Sequence, residues 1–453
     1  MGGIFGSLIS TSGALRAYDK SLSVIQNNVA NVHTPGYVRQ RLQLLPQNFS
    51  TKLELSGGVA AGALLSSRDA YIERAVWRQN SLSGRQSQTS LDLGQIEPVF
   101  QIGEGAGIPG SLNQFFNSVS SWSVNPNDPV ARQVVLDRAS ATARSFNSAA
   151  NALGEAQSNA DRDIRDTVDA INDLAGQIRD INAERRTDRR KLEDPALEAR
   201  VHATLEELSQ YVDFNAIEQP DGSFTVLFGG QTPLVQGDRQ TELRADFSNP
   251  EPAIVDDQGN DVTGQFSEGS LKGLLDTRNE KIPGYLSDLN RLAETFADRV
   301  NEVLGGGLDA NASSPLVDLF TYDSGPGAAF TLGVTAIAPS ELAAADPGAP
   351  GGNGNALRLG ELANSTEIDD VSFQQFYGRL AAKAGRDLRD ARDSAGLQEQ
   401  LVTQVRELRQ ENSAVSLDEE AARLVEAQRA YQANAQLFQV LNTLTDTLLG
   451  ILR

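Results

Sequence analysis

The feature that most constrains the fold is a pair of apolar repeats, one at each end of the chain. Near the N-terminus, mostly apolar residues alternate four and three apart over residues 4–32. Near the C-terminus, a spacing of three and four runs over residues 427–451. On an α-helix this spacing forms one narrow apolar seam, as in a strand of a coiled coil. Both ends are therefore predicted to be long helices that need partners.

Local signals mark the boundaries of these helices. Pro35 and Gly36 end the first helix, because the residue before proline avoids the α region and glycine turns the chain. Ser416 and Glu419 form a capping box that predicts the start of the last helix. The C-terminal seam cannot offset the cost of ordering its own backbone. We therefore expect neighbouring copies to complete the seams, so that both ends become firmly ordered on assembly.

Asparagines crowd the end of the first predicted helix. Asn27, Asn28 and Asn31 lie three and four apart, near one stripe. Such amides either fix the register between helices or satisfy local backbone groups and water. From the residues alone, the local interpretation is favoured because asparagine is common near helix ends.

Between the two ends the chain alternates helical and β patterns. Helical repeats cover 164–181, 282–303 and 397–408, and shorter ones occupy about 68–100 and 111–150. Residues 213–265 contain alternating runs around Pro-Asp-Gly-Ser, which predict a hairpin. Residues 305–360 are rich in Gly, Ala and Pro, with AAFTLGVTAI as a strand-like stretch.

The predicted fold class is mainly α with inserted β modules, in a multidomain rod whose terminal helices form a coiled coil. The predicted domains are a terminal coiled-coil assembly domain (1–67 with 397–453), a helical rod domain (68–212 with 268–304 and 361–396), a β-rich inserted module (213–267) and a β or irregular insert (305–360).

Composition excludes several classes of function. The net charge of −21 disfavours nucleic acid and anionic membranes as partners. The lack of cysteine excludes disulfides, thiol catalysis and thiolate metal sites. No apolar run approaches the ~20 residues of a membrane span. The N-terminus lacks the pattern of a Sec signal peptide, so we expect a soluble chain that is cytoplasmic or exported without a cleaved signal.

Motifs for catalysis or cofactors are weak throughout. GAGIPG at 105–110 lacks a preceding strand, and the loop at Asp309 lacks the Gly and Glu of a calcium site. His33 and His202 have no recognisable nucleophile motif beside them, and the basic cluster at 184–191 is interpreted as a solvated helix face or hairpin tip. We expect no enzyme activity and no catalytic, cofactor or metal site.

Both ends of the chain resemble the bacterial flagellar axial proteins, the rod, hook and hook-associated family. NNVANVHTPGYVRQRLQL at 27–44 resembles that family's N-terminal signature, and SLDEEAARLVEAQRAYQANAQLFQVLNTLTDTLLGIL at 416–452 resembles its C-terminal signature. The interior, including GIPGSLNQFFNSVSSWSVNPNDPVARQVVLDRA at 107–139, is similar to members at the junction between hook and filament. The likeness is weakest over 305–370.

The resemblance implies a structural role in the extracellular bacterial flagellum. It implies export through the type III channel, with an export chaperone, and assembly as a helical ring or short stack of identical copies. Hook protein and a second hook–filament junction protein are the other implied partners. A hook or rod protein, an adhesin or enzyme insert on an axial scaffold, and a cytoplasmic coiled-coil scaffold are the alternatives.

The expected assembly residues come from two sources. The apolar pattern indicates Leu8, Leu15, Leu22, Ile25, Leu437, Leu441, Leu444 and Leu448. The resemblance implies Asn28, Asn31, Thr34, Pro35, Gly36, Tyr37, Gln428, Ala430, Tyr431, Gln432 and Ala435.

Overall fold

Helices make up most of the protein. The structure is a computed structural model that describes residues 2–50, 55–100, 107–187 and 194–451. In these ranges the α-helices are α1 (Gly2–Ala30), α2 (Ala70–Ile96), α3 (Gly107–Val124), α4 (Pro129–Thr187), α5 (Pro195–Tyr211), α6 (Ser270–Asp276), α7 (Ile282–Gly305), α8 (Ala328–Thr331), α9 (Gly354–Glu361), α10 (Phe373–Ser413) and α11 (Leu417–Ile451).

The strands form small antiparallel sheets. They are β1 (Gln40–Pro46), β2 (Phe49–Ser50), β3 (Leu55–Ser56), β4 (Val59–Ser66), β5 (Phe214–Glu218), β6 (Phe224–Phe228), β7 (Thr232–Gln236), β8 (Arg239–Gln240), β9 (Arg244–Asp246), β10 (Ala253–Val255), β11 (Phe320–Thr321) and β12 (Gly333–Val334). The strands β5 to β8 make a four-stranded sheet in chain order, and the other strands pair in twos. The predicted mainly α fold with inserted β modules is confirmed.

The residues cluster into two compact units. The terminal unit comprises Met1–Ser83, Ala170–Glu242 and Gln398–Arg453. The middle unit comprises Gly84–Asp169 and Leu243–Leu397. The four domains expected from the sequence stay a prediction.

Aromatic side chains form the core of the middle unit. Phe296 of α7 lies with its ring centroid 5.6 Å from that of Phe115 and 5.1 Å from that of Phe320, and Phe373 packs edge-on at 5.6 Å. Such offset and edge-to-face pairs favour packing beyond simple burial. The LNQFF stretch is therefore helical because its phenylalanines enter this core.

The start of α7 agrees with the sequence prediction. Pro283 lies in the first turn of α7, as predicted, but the backbone before it is already helical, so its missing N–H removes a hydrogen bond inside a continuous helix. A π-helical turn, Thr277–Lys281, precedes α7, and the sequence did not predict that turn. Arg278 in the turn reaches Asp161 at 2.6 Å, so a tertiary ion pair accompanies the irregular backbone.

The predicted hairpin after residue 213 is confirmed. Strand β5 pairs antiparallel with β6, and the turn between them contains Gly222 at φ +78°. The carboxylate of Asp221 accepts a hydrogen bond from the backbone N–H of Ser223 at 3.0 Å. The Pro-Asp-Gly-Ser stretch thus forms the turn by the local bonding typical of Asx residues.

The strand prediction for AAFTLGVTAI is wrong over its first half. Residues 328–331 form α8, and only Gly333–Val334 is a strand. The side-chain oxygen of Asn290 accepts from the Ala329 N–H at 2.9 Å, and Asn147 donates to the Ala329 carbonyl at 2.9 Å. These distant amides complete the hydrogen bonds of a short helix, so tertiary contacts override the local β pattern.

None of the helices among the described residues has the length and apolar character needed to cross a membrane.

Candidate assembly surface of the terminal helices

Helices α1 and α11 pack along each other within the terminal unit. The inward side of α1 carries small residues, since Ala14 is 5% and Ala17 1% exposed, and Ile25 is 6% exposed. Small side chains let two helix backbones approach closely. The predicted seam residues Leu8, Leu15 and Leu22 are half-buried. Part of the N-terminal seam is therefore covered within one chain.

The seam of α11 divides into a covered side and an open side. Leu441 is half-buried. Leu437 is 56% exposed, Leu444 48% and Leu448 37%, and Val440 beside them is 57% exposed. Residues spaced three and four apart share one helix face. The open side is thus a continuous apolar stripe, which we call the α11 stripe: Leu437, Val440, Leu444 and Leu448.

Helix α1 also leaves apolar side chains in solvent. Phe5 is 49% and Ile9 75% exposed, and the two lie four residues apart. An isolated exposed side chain is ordinary, but grouped exposed apolar side chains indicate an interaction surface.

Asn28 is the buried hub of the N-terminal motif, with 1% of its surface exposed. Its amide N–H group donates to the Gln40 carbonyl at 2.9 Å and to the Glu420 carboxylate at 3.0 Å. Its oxygen accepts from the Gln40 N–H at 3.0 Å and from the Tyr37 hydroxyl at 2.9 Å. One side chain therefore ties α1 to β1 and α11, and its bonds lie within the chain.

Asn31 has the local role that the sequence favoured. Its side-chain nitrogen donates to the Asn27 carbonyl at 3.0 Å, and its oxygen accepts from the Thr34 hydroxyl at 3.0 Å. The hydroxyl of Tyr37 also donates to Asn27 at 2.9 Å. These bonds close the turn after α1, while Thr34 and Pro35 are exposed. The motif thus combines a local turn with the buried tertiary contact of Asn28.

Backbone conformation and close packing restrict position 36 to glycine. Its φ is +72°, and a Cβ placed there would lie 2.3 Å from the Ala199 carbonyl oxygen. The turn therefore packs its backbone directly on α5.

Charged groups surround the neighbouring Tyr37. Burial raises the pKa of the Tyr37 hydroxyl to about 12, and the charges of Glu420 and Glu198 add to the increase. The hydroxyl thus stays protonated and keeps donating to the two asparagines at physiological pH.

The start of α11 confirms the predicted capping box in part. The Ser416 hydroxyl accepts from the Glu419 N–H at 3.4 Å. The Glu419 side chain forms an ion pair with Arg39, the residue before β1. Acidic residues in the first turn of a helix also interact favourably with its dipole. Arg39 and Glu420 were missed from the sequence because their partners are remote in the chain.

The C-terminal motif residues mostly face outward. Gln428 and Gln432 are exposed and Tyr431 is 37% exposed, while Ala430 and Ala435 are half-buried. These outward side chains are available to neighbouring molecules.

The other candidate sites have structural explanations. The Asp309 carboxylate accepts from the backbone N–H groups of Asn311 and Ser313 at 2.8 Å, which makes a closed turn. The described residues contain no cluster of three or more potential metal ligands. GAGIPG lies partly outside the described residues, and from Gly107 onward it is the first turn of α3. His33 is exposed.

The interpretation of 184–191 as a solvated face is wrong at Arg185. Its side chain is 5% exposed and lies over the ring of Phe224 at 5.5 Å. Residues 188–191 of that cluster lie outside the described residues.

A family model described as the flagellar hook-associated protein FlgK helical domain matches residues 93–320, half of the chain. The chain belongs to the FlgK family of flagellar hook-associated proteins. A second model, the C-terminal domain of the flagellar basal body rod FlgEFG proteins, matches residues 408–451. That match covers α11 and the end of α10.

Curated members of the FlgK family align over nearly the whole chain. Flagellar hook-associated protein 1 of Bacillus subtilis is 27% identical and covers 98% of each chain. Flagellar hook-associated protein 1 of Salmonella typhimurium is 25% identical over 96% of this chain and 98% of its own. The FlgK hook junction protein of Burkholderia pseudomallei has a TM-score of 0.67 at 16% identity, over 76% of this chain and 100% of its own. That likeness indicates a shared fold.

Proposed function

We propose that this chain is a non-catalytic structural component of the bacterial flagellum that joins the hook to the filament. It assembles with copies of itself through α1 and α11. The observation that carries this proposal is the α11 stripe, a row of apolar side chains that remain exposed although α11 already packs on α1.

The hydrophobic effect supports this assignment. Full burial of one such leucine contributes roughly 1.5–3 kcal/mol, and each α11 stripe residue has between 37% and 57% of its surface still to bury. A helical stack repeats this gain at every subunit. The exposed side chains of Phe5 and Ile9 on α1 supply a second apolar surface for the same assembly.

The proposal separates two kinds of motif residue. Asn28, Asn31, Gly36 and Tyr37 hold the terminal unit in shape, so they act on assembly by positioning the helices. Leu437, Leu444 and Leu448 contact neighbouring subunits directly, together with the outward residues Gln428, Tyr431 and Gln432.

Location and partners follow from the same role. The chain resides outside the cell in the flagellum and is exported with the help of a type III export chaperone. Hook protein lies on one side of the ring, and a second junction protein lies on the other. The family names of the relatives support placement at the hook.

The variant Leu444→Asp tests the α11 stripe. A charge at the centre of an interface between subunits remains costly to desolvate, so we expect the variant to abolish attachment of filaments to hooks. Motility on soft agar and flagellin released into the medium measure this loss. Far-UV circular dichroism of the purified variant should be unchanged, because Leu444 is already 48% exposed in the single chain.

A nearby exposed residue on another face provides the matched control. Gln439→Asp adds the same charge to α11 at a position that is neither three nor four residues from any member of the α11 stripe, and it should leave filaments attached. Normal motility of Leu444→Asp would refute the proposed surface.

A further inference from the structure

A histidine is buried between aromatic side chains in the terminal unit. His202 lies on α5 and is 8% exposed. Its ring is stacked on that of Trp77, with the centroids 5.8 Å apart, and Phe224 packs edge-on at 5.6 Å. The aromatic rings shield the imidazole from water, and the assembly proposal makes no use of it.

A proton on this ring would have no carboxylate of its own. The Nδ1 atom has no hydrogen-bond partner in the described part of the chain. The Oε2 atom of Glu73 lies 3.9 Å from it, beyond hydrogen-bond distance. Glu73 already lies 2.8 Å from Arg68 and 3.6 Å from Arg409. A protonated ring would therefore have to compete with two arginines for one carboxylate.

The other charged side chains around the ring also pair with one another. They come from the segment before α2, from α4, α10 and β5, and from α5 itself, and the pairs are Arg68 with Glu198 at 2.9 Å, Arg409 with Glu206 at 2.6 Å, and Arg185 with Glu218 at 3.2 Å. Strand β6 contributes the uncharged Phe224. Burial holds the pKa of the His202 ring well below its usual range, and the charges of the three arginines act in the same direction.

The neutral ring makes the stability of the terminal unit depend on pH. In an opened unit the ring meets water and titrates near the ordinary histidine pKa of about 6.5. Since folding lowers this pKa, the open state binds a proton more readily, and acid favours opening. The stabilisation is complete above about pH 6.5 and is lost as the pH falls from there towards the pKa of the folded unit. In that range the equilibrium constant for opening rises about tenfold for each pH unit.

The helix that carries His202 also supports the N-terminal turn. Gly36 of that turn packs on the carbonyl oxygen of Ala199, three residues before His202 in α5. The Ser66 hydroxyl at the end of β4 donates to the Glu198 carboxylate at 2.8 Å. Opening around α5 therefore breaks contacts that hold the turn after α1 and the end of β4.

We propose that His202 makes the terminal unit sensitive to acid: below about pH 6.5 the unit opens around α5, and α1 loses the support that positions it for assembly. Only the consequence for assembly rests on the proposed function, because the opening is a property of a single chain. The chain has two histidines, and the other, His33, is exposed. His202 is therefore the histidine whose proton affinity folding changes.

Hydrogen exchange with mass spectrometry on the monomeric full-length chain tests this proposal. Protection factors at pH 7.5 and pH 5.0 are compared, since they remove the intrinsic pH dependence of exchange. We expect the amides of α5 to lose about 30-fold in protection, the factor given by a group that titrates near 6.5 only in the open state. Helix α7 of the middle unit is the internal reference and should lose much less, because both histidines lie in the terminal unit.

Two substitutions remove the titrating group in different ways. His202→Gln keeps a neutral polar side chain, and His202→Phe keeps an aromatic ring between Trp77 and Phe224. The ratio of protection at the two pH values should fall several-fold below that of the parent chain in both variants. Any constant change in stability cancels in this ratio, and the surrounding carboxylates remain in every variant. His33→Gln, in the same unit, is the matched control and should keep the full response.

An equal response to pH in the parent chain and in both His202 variants would overturn the inference. Loss of the response in His33→Gln would do the same. The Leu444→Asp test is read at neutral pH and does not depend on this histidine. If that variant still releases filaments, the proposed function stands and only the role of His202 fails.

Discussion

At the scale of single residues, Gly36 gives a sharp test of how the N-terminal turn is held. A side chain there meets both an unfavourable φ of +72° and the Ala199 carbonyl oxygen at 2.3 Å. Gly36→Ala should therefore destabilise the terminal unit by about 3 kcal/mol, with left-handed backbone costing about 1–2 and overpacking the rest. The midpoint of urea unfolding measures the loss.

Gly230→Ala is the matched control for this prediction. Its φ is +75°, and nothing lies within 4 Å of the added Cβ. We expect this variant to lower the free energy of unfolding only by the cost of left-handed backbone, about 1–2 kcal/mol. Equal losses for both variants would contradict the close packing of the turn on α5.

Asp92 makes the stability of the middle unit depend on pH. Burial raises the pKa of its carboxyl group to about 6 from 3.8, although Gln88 donates a hydrogen bond to it at 2.7 Å. The folded state therefore favours the protonated acid. The preference for the protonated acid stabilises the fold fully below about pH 4, and this stabilisation is lost as the pH rises through 6. Asp92→Asn should thus stabilise the unit by about 2–3 kcal/mol at pH 8 and leave it unchanged at pH 4.

Asp137→Asn is the control, because it changes a carboxylate that has the same kind of hydrogen bond but is not buried. Asp137 accepts from Gln133 at 2.8 Å with the same spacing of four residues, but it is exposed. Thermal unfolding at both pH values should show no comparable gain. A gain for Asp92→Asn that is independent of pH would count against the titration of that carboxyl group.

At the scale of elements, the terminal helices differ from the helices of the middle core. Helix α11 leaves its stripe in solvent, whereas α7 buries Tyr285, Leu289 and Phe296 at 0% exposure. Amides protected by few buried contacts open more easily. In a monomeric sample, α1 and the second half of α11 should exchange amide hydrogen faster than α7. In isolated flagella, the amides of α1 and of the second half of α11 should become protected from exchange.

Hydrogen exchange with mass spectrometry measures this difference. The helix α3, which enters the same aromatic core as α7, is the internal reference. Full protection of α1 and α11 in a demonstrably monomeric sample would sink the idea that their order depends on assembly.

The helices and strands also show which parts of the fold the sequence could predict. Periodic seams predicted α1, α7 and α11 because a helix places residues three and four apart on one face. The pairing of β1 with β4 and the π turn before α7 were not predicted, since neither has a strong local pattern. The buried role of Asn28 between helices matches the alternative that the residues left open, and not the favoured local interpretation. Its partner Glu420 is 392 positions away, and the local pattern supported a simple turn.

At the scale of the whole molecule, similarity in sequence and in fold extends over different lengths. The relatives from Bacillus and Salmonella align over at least 96% of the chain, whereas the solved structure covers 76%. The heptad pattern located Leu437, Leu444 and Leu448 of the proposed assembly surface, but not Val440. Their division into covered and open sides depends on which face of α11 packs on α1, and the linear pattern does not contain that information.

The hydrogen bond between Asn28 and Glu420 can form only late in the synthesis of the chain. The two residues are separated by 392 positions, and a ribosome adds about 5–20 residues each second. Asn28 therefore spends about 20–80 seconds of translation without that partner. The partners of α1 in β1 and β4 follow it closely in the chain, but α11 is absent throughout this interval, so the face of α1 that packs on α11 stays open to other molecules.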